Sequence, residues 1–495
     1  MQSRRDQVQA HLFVMSRVSS GMLRGEPDAP DTPVARTTRG ATVGLAVGLL
    51  IGVGVGVYGL VRPGGATAWQ KPGTLVVVKE SGARYLYADG LLRPVLNQSS
   101  ARLLAGDQFR LAEVSAASLA GTPRGPAVGI LGAPDAVPAV RDLGPADWSA
   151  CATTAIQGTR MLPQLTLSVG LRRSGRPLAD DQSVLAAGPD GTPQLLWHGH
   201  RLRIDTANGG LRALGRAAAT PYPVTAGFLD ALPVGPDLKA PDLPGRGTPG
   251  PAIAGLPSKV GQLFAGPGGE HYLLAGDGLV PLGETLFRLV QEDPRTQRDA
   301  YGGAAVTPGP VGPADLAAHQ APATTAAAWA GTGLPARPPQ PTAVGQGQAP
   351  CAELGPTADP SAVTLTLADA ADGRPPAAQP GVAPACGGAD LIAVRPGGGA
   401  LVRAVTGSGA GSTVYLVTDA GVKYPLPSAA AAKQLGYDKV APAGVPNRLL
   451  GLLPTGPGLD PAALAAGGVV GGGGTGGGGV GGAANPTNPT NPCGG

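Results

Sequence analysis

Residues 40–61 carry no charge, with Arg36 and Arg39 just before them and Arg62 just after. At about 1.5 Å rise per residue, a helix of this length spans about 33 Å, enough to cross the hydrocarbon core of a bilayer. The run therefore predicts a transmembrane helix over 40–61, with 39 residues before it and 434 after. A chain so divided is a single-pass membrane protein with one large extramembrane body. A secretory signal is the competing reading. The run begins far from the N-terminus, however, and is longer than a signal's apolar stretch of about 7–15 residues. Glycines inside it would cost a helix in water up to about 1 kcal/mol each, whereas membrane helices tolerate them. Gly44, Gly48, Gly52 and Gly56 recur every four residues. That spacing predicts a packing face on which a neighbouring helix backbone can approach closely.

Orientation rests on two weak signals that agree. Arg36 and Arg39 on one flank are balanced by Arg62 and Lys71 on the other, so the positive-inside rule ties near the span. Residues 1–39 as a whole hold six Arg against four acids, a lean towards the cytoplasm. All four cysteines, Cys151, Cys351, Cys386 and Cys493, follow the span, and disulfides need an oxidising compartment. The expected location is the cell (inner) membrane, with a short cytoplasmic N-terminus and an extracytoplasmic body.

Self-similarity organises that body. YLYADG at 85–90 is followed by RPV at 93–95, and YLLAGDG at 272–278 by VPL at 280–282. YLVTDAG at 415–421 is followed by YPL at 424–426, and a degenerate copy reads VLAAGPDG at 184–191 with QLL at 194–196. Each copy is an apolar run, an Asp/Gly turn and a second run, a β-hairpin signature. The turn residues are Asp89 and Gly90, Asp190 and Gly191, Asp277 and Gly278, and Asp419 and Gly421. Helical stretches follow three copies, at 99–104, 283–289 and 428–435. Residues 161–171 and 363–367 alternate apolar and polar positions, and 391–405 reads as two strands joined through a glycine turn; these predict a central β core. The expected fold is α+β and β-rich outside the membrane, a central β core with four small strand–turn–strand–helix repeat domains. The expected boundaries are cytoplasmic segment 1–39, span 40–61, repeat one 62–125, core 126–180, repeat two 181–250, repeat three 251–325, linker and core 326–405, and repeat four 406–466. A Gly-rich tail at 467–495, with almost no apolar surface to offset ordering entropy, is expected to be disordered. Pro/Gly-rich segments 302–313 and 331–350 read as linkers or long loops.

Several chemistries lack their residues. A phosphate-binding loop needs GxxxxGK[ST], and the sequence contains no Gly-Lys dipeptide. There is no GxSxG, no HExxH and no CxxC, so no cofactor or metal is expected. His198 and His200 would share a face on a strand, but surface histidines are the default. The net charge of +4 and 4% aromatics, with no basic patch interleaved with aromatics, speak against nucleic acid. Cys151 and Cys351 both border expected core segments and are the first choice among the three pairings four cysteines allow. Cys386 and Cys493 either pair with each other or stay free. At the N-terminus, Val8, Leu12, Met15 and Met22 fall on one face of an amphipathic helix, which needs a membrane surface or a protein partner.

The order of these parts resembles the EccB family of actinobacterial type VII (ESX) secretion systems. DQVQAH at 6–11, RGEPD at 24–28, WSAC at 148–151, PGGGALVR at 396–403 and LLGLLPTGPGLDP at 449–461 carry the resemblance. It implies a β core with four repeat domains and a core disulfide, for which Cys151 and Cys351 occupy the matching places. It also implies a structural subunit that joins EccC, EccD and EccE in the inner-membrane secretion complex, contacts membrane lipid, and self-associates outside the membrane. Family members are described as ATPases; the absent phosphate loop argues against hydrolysis by this chain. The competing functions are a membrane-anchored envelope ATPase or hydrolase, which would need a convergent cluster of ionisable groups, and a cell-wall-binding protein, which would need aromatic platforms.

Overall fold

The computed structural model describes residues 4–24, 33–61, 67–144, 147–171, 175–354, 362–369, 373–406, 409–465 and 467–471. The chain divides into two compact units. The smaller comprises Met1–Lys71, Val76–Ala83 and Leu111–Pro123; the larger comprises Pro72–Leu75, Arg84–Arg110 and Arg124–Gly495.

In the smaller unit, one helix spans Arg4–Arg24 and another Pro33–Val61. Hydroxyls inside them bond back to the preceding turn, Ser19 Oγ to the Met15 carbonyl at 2.6 Å and Thr42 Oγ1 to the Thr38 carbonyl at 2.8 Å. These two hydroxyls thus find acceptors within their own helices. The window Thr37–Tyr58, 22 residues with mean hydropathy 2.1, is long and apolar enough to cross a membrane, and none of it is buried within the protein. In the same unit the Lys79 N–H donates to the Val114 carbonyl at 2.9 Å.

The larger unit is built on a six-stranded sheet. Its order is Leu391–Val394, Arg160–Val169, Trp148–Gln157, Gln348–Leu354, Thr364–Asp369 and Arg176–Pro177. Trp148–Gln157 and Arg160–Val169 form a ten-pair hairpin whose connection needs Gly158 at φ +61°. Trp148, Leu165, Leu167, Leu354 and Leu367 are buried in the main core. Each such side chain contributes roughly 1.5–3 kcal/mol by leaving water.

Three sheets share one order of four strands, the first of them with Gln340–Pro341 as a fifth strand beside Gln182–Ala187. His200–Arg203, Pro193–Trp197, Gln182–Ala187 and Tyr222–Pro223 form one of them. Gly278–Leu282, His271–Ala275, Leu263–Ala265 and Gly309–Pro310 form the next. Lys423–Leu426, Gly409–Thr418, Gly399–Thr406 and Ala443–Pro446 form the last. In each, three consecutive strands pair antiparallel, a helix follows, and the fourth strand returns parallel to the first. The hairpin Arg84–Ala88 with Leu91–Pro94 begins the same pattern within the larger unit: Gly73 donates to the Tyr87 carbonyl and accepts from the Arg110 N–H. Helices Gln98–Ala105 and Ala429–Gln434 start at Asn97 and Ser428, whose side chains accept from Ser100 and Ala431 N–H and so satisfy end donors the helix itself leaves open.

Three sequence expectations are corrected here. Residues 391–405 do give two strands, but Leu391–Val394 pairs parallel with residues 166–169 in the core, while Gly399–Thr406 is the first strand of the last four-stranded sheet. The glycine turn between them, with Gly397 at φ +71°, redirects the chain instead of folding a hairpin. The segments expected as linkers contain structure: the two-residue strands Gly309–Pro310 and Gln340–Pro341, which need only one sheet edge, and the start of the core strand Gln348–Leu354. The start of the tail expected to be disordered is also paired, Val469 and Val470 with Gly129 and Ile130; the two valines are apolar residues in an otherwise glycine-rich stretch. Residues 472–495, including Cys493, lie outside the described residues.

Candidate assembly surfaces

Gly44, Gly48, Gly52 and Gly56 lie on the helix Pro33–Val61, and a Cβ added at any of them would meet no atom within 4 Å. Around them Leu45, Leu49, Leu50, Ile51 and Val55 are exposed. On the first helix Val8, Leu12 and Met15 are exposed too, and Met22 is 83% accessible. These helices therefore present apolar side chains to their surroundings, which in water is unfavourable by about 25 cal/mol per Å².

Cys151 and Cys351 face each other directly in neighbouring antiparallel strands and form a disulfide, with Cα atoms 4.0 Å apart and 200 residues between them in sequence. Cys386 is also disulfide-bonded.

The turn residues fall in different places. Asp89 (φ +54°) and Gly90 (φ +75°) connect the second and third strands of their sheet, both in the left-handed region that a two-residue hairpin demands. Asp277 accepts from Thr325 Oγ1 at 2.6 Å and Asp419 from the Gly397 N–H at 2.7 Å, so both acids tie a turn to a distant segment. Gly278 lies against the His319 carbonyl and Gly421 against Ile392, leaving no room for a Cβ. Asp190 and Gly191 occupy a turn one hairpin earlier, between the first and second strands; Thr192 donates twice to Asp190 and holds its carboxyl below the ordinary value. The counterpart of Asp89-Gly90 in that sheet is His198 (φ +51°) and Gly199 (φ +74°). His198 stacks on Trp197 at 4.6 Å and contacts Asp180 at 2.8 Å. It is a turn residue, and among the described residues no group of three or more His, Cys, Asp or Glu is placed to hold a metal.

Sequence reasoning missed the buried polar groups. Asp293 is fully buried between Arg246 at 3.2 Å and Arg295 at 2.9 Å. Burial pushes its carboxyl up, but hydrogen bonds from Arg295 and the charges of both arginines outweigh this and hold it below the usual range. Lys423 donates to the Leu450 carbonyl at 2.7 Å, and burial pulls its ammonium down to about 8. The only advance signal is Asp293-Pro-Arg295, where an acid can accept from the backbone two residues on, as it does at 2.8 Å.

A cavity of about 300 Å³ beside the core sheet is lined by Asp147, Trp148, Ser149, Glu353 and Thr366 among others. Thr366 Oγ1 donates to Glu353 at 2.7 Å. Carboxylates and hydroxyls line it, and no histidine, lysine or arginine is among its lining residues.

The family model described as type VII secretion system ESX-1, transport TM domain B, matches residues 1–469. The chain belongs to the EccB family. It is 29% identical over 487 residues to the ESX-3 secretion system ATPase EccB3 of Mycolicibacterium smegmatis, covering 92% of this chain and 89% of that one. It is 33% identical over 243 residues to the ESX-2 secretion system ATPase EccB2 of Mycobacterium tuberculosis, covering 46% and 47%. Among solved structures, a chain of the intact ESX-5 inner membrane complex matches with TM-score 0.60 and 25% identity, over 94% of this chain and 95% of that one. The EccB3 dimer from the ESX-3 core complex matches with TM-score 0.60 and 25% identity, over 78% and 98%. The β-rich body and the N-terminal apolar helix are thus family features, as the sequence resemblance implied.

Proposed function

We propose that this chain is a structural subunit of an inner-membrane type VII secretion complex and forms part of its periplasm-side scaffold. The observation that carries the reading is the match, over almost the whole chain, to a subunit of the intact ESX-5 inner membrane complex. The helix Pro33–Val61 is the single anchor, with the N-terminus in the cytoplasm and the disulfide-bearing body outside. The glycine face and the apolar face of the first helix are its contacts to other membrane subunits of the EccC, EccD and EccE kinds and to lipid. The body self-associates, as the EccB3 dimer does. The three similarly ordered sheets and the hairpin Arg84–Ala88 with Leu91–Pro94 are copies of one repeated module. Relatives carry the word ATPase in their names; the missing Gly-Lys dipeptide favours a scaffold whose energy is supplied by a partner.

Affinity purification of a tagged chain from its native membranes in mild detergent tests this. Recovery in a large particle with a nucleotide-hydrolysing subunit and a multi-span subunit is the expected result. Recovery as a lone monomer or dimer, or ATP turnover by the purified chain alone, overturns it.

A further inference from the structure

The hairpin Trp148–Gln157 with Arg160–Val169 runs past the sheet that holds it. Its neighbours pair only with its base: Gln348–Leu354 with residues 148–151, and Leu391–Val394 with residues 166–169. Just above, the body still grips the hairpin edges. The Ala152 carbonyl accepts from Tyr222 Oη at 3.2 Å, and the Leu165 N–H donates to Asp390 at 2.7 Å. Farther out, among the described strands, residues 154–157 pair with 160–163 alone. That is a ribbon of about 13 Å. Every residue from 156 to 162 is exposed, with Ile156 82% accessible, Met161 56% and Leu162 39%.

Ile156 and Met161 are cross-strand partners. They share the face that lower down carries Ala152 and Leu165 into the main core. Leu162, opposite Ala155, points to the other face. The tip is thus apolar on both faces. A flat protein surface covers one face of a ribbon, whereas a medium that surrounds the tip covers both. Charge agrees. From Trp148 to Val169 the one charged residue is Arg160. Two copies meeting tip to tip across a two-fold axis would set Arg160 against Arg160; lipid phosphates pair with it instead.

We propose that the tip, residues 156–162, is a further membrane contact. Ile156, Met161 and Leu162 enter the headgroup–acyl boundary of the bilayer that the helix Pro33–Val61 crosses, and Arg160 binds lipid phosphate. This rests on the reading of that helix as the anchor. The uncharged polar residues Thr154, Gln157, Thr159 and Gln164 flank the three apolar side chains and keep the insertion shallow, about 5–10 Å, as for other interfacial segments.

The test uses the full-length chain in nanodiscs of phosphatidylcholine and phosphatidylglycerol, one chain per disc, with acyl chains brominated near the headgroup. Ile156→Trp is expected to add an emission that the bromines quench, above the background of the four native tryptophans. Adding Met161→Ser, Leu162→Ser and Arg160→Glu is expected to abolish that quenching. A chain that enters the discs while the added tryptophan stays unquenched overturns the tip contact and leaves the anchor standing. A chain that does not enter the discs overturns both. Quenching seen only when two chains share a disc overturns the lipid contact in favour of one between copies.

Discussion

The sheet that begins at Leu263 and the sheet that begins at Gly399 have the same strand order, yet they are fastened by opposite means. The first keeps its own apolar cluster, around Leu263, Leu273, Phe287 and Val290, and locks its helix end with buried charge: Asp293 between Arg246 and Arg295, with Arg246 also donating to Thr296 Oγ1 at 2.9 Å. The second has no such pair at its centre. On one face Val402, Val417, Leu449 and Leu453 merge into the main core with Trp148 and Leu167, while on the other Leu401, Leu416, Tyr424 and Leu426 form a cluster of their own. Half-buried Lys423 and buried Tyr437 donate to the carbonyls of Leu450 and Pro138. One strand order is thus compatible with a semi-independent charged lock or with fusion to a shared core. A buried ion pair is costly to break and adds little over an apolar replacement, so the first arrangement fixes geometry more than it adds stability.

The largest expected effect separates the two sheets by what they share with the core. Replacing Cys151 and Cys351 with serine removes a bridge across 200 residues, about 5 kcal/mol in the chain-entropy account. Hydrogen exchange should then show the core sheet and the Gly399 sheet opening together, with the Leu263 sheet still protected; simultaneous opening of all three would erase the distinction. Next, Asp293→Asn leaves Arg246 buried without its carboxylate and should cost about 3–5 kcal/mol, read as lost exchange protection in the Leu263 sheet alone. Lys423 supplies a pH signature on the other side. Its ammonium falls from 10.5 to about 8 on folding, so between those values the unfolded chain binds more protons and stability rises with pH. Relative to Lys423→Met, the wild-type protein should gain about 3 kcal/mol between pH 7 and pH 10.5 in denaturant unfolding, and a flat difference would contradict the buried placement. The smallest effect is Tyr437→Phe, which deletes the 2.6 Å bond to the Pro138 carbonyl and should cost about 1–2 kcal/mol.

Local features were legible in the sequence, and long-range pairings were not. The uncharged run, the strand at 161–171 and the helices after each hairpin are written in composition and period, and they appear within a few residues of expectation, as Arg160–Val169 and Glu284–Glu292 show. The turn at Asp190-Gly191 reads as the counterpart of Asp89-Gly90 because Asp-Gly is the strongest hairpin dipeptide. The equivalent position uses His198-Gly199, where histidine adopts φ +51° and no composition rule announces it. Residues 391–405 read as a single core unit, since a parallel partner 225 positions away, Thr166 for Leu391, leaves no local trace of the split. The Asp293 cluster was invisible for the same reason: Arg246 lies 47 residues from its acid.

The disulfide has a mechanical meaning. A tension entering through the helix Pro33–Val61 and leaving through the last sheet follows the backbone only to Cys151, crosses the sulfur–sulfur bond, and resumes at Cys351. The two sheets between those cysteines hang on a side loop that carries no load. They can yield, tilt or exchange neighbours while the path from the apolar helix to the C-terminal sheet stays covalently short, so pulling on the chain should extend it by the length of its ends alone until the bond is reduced.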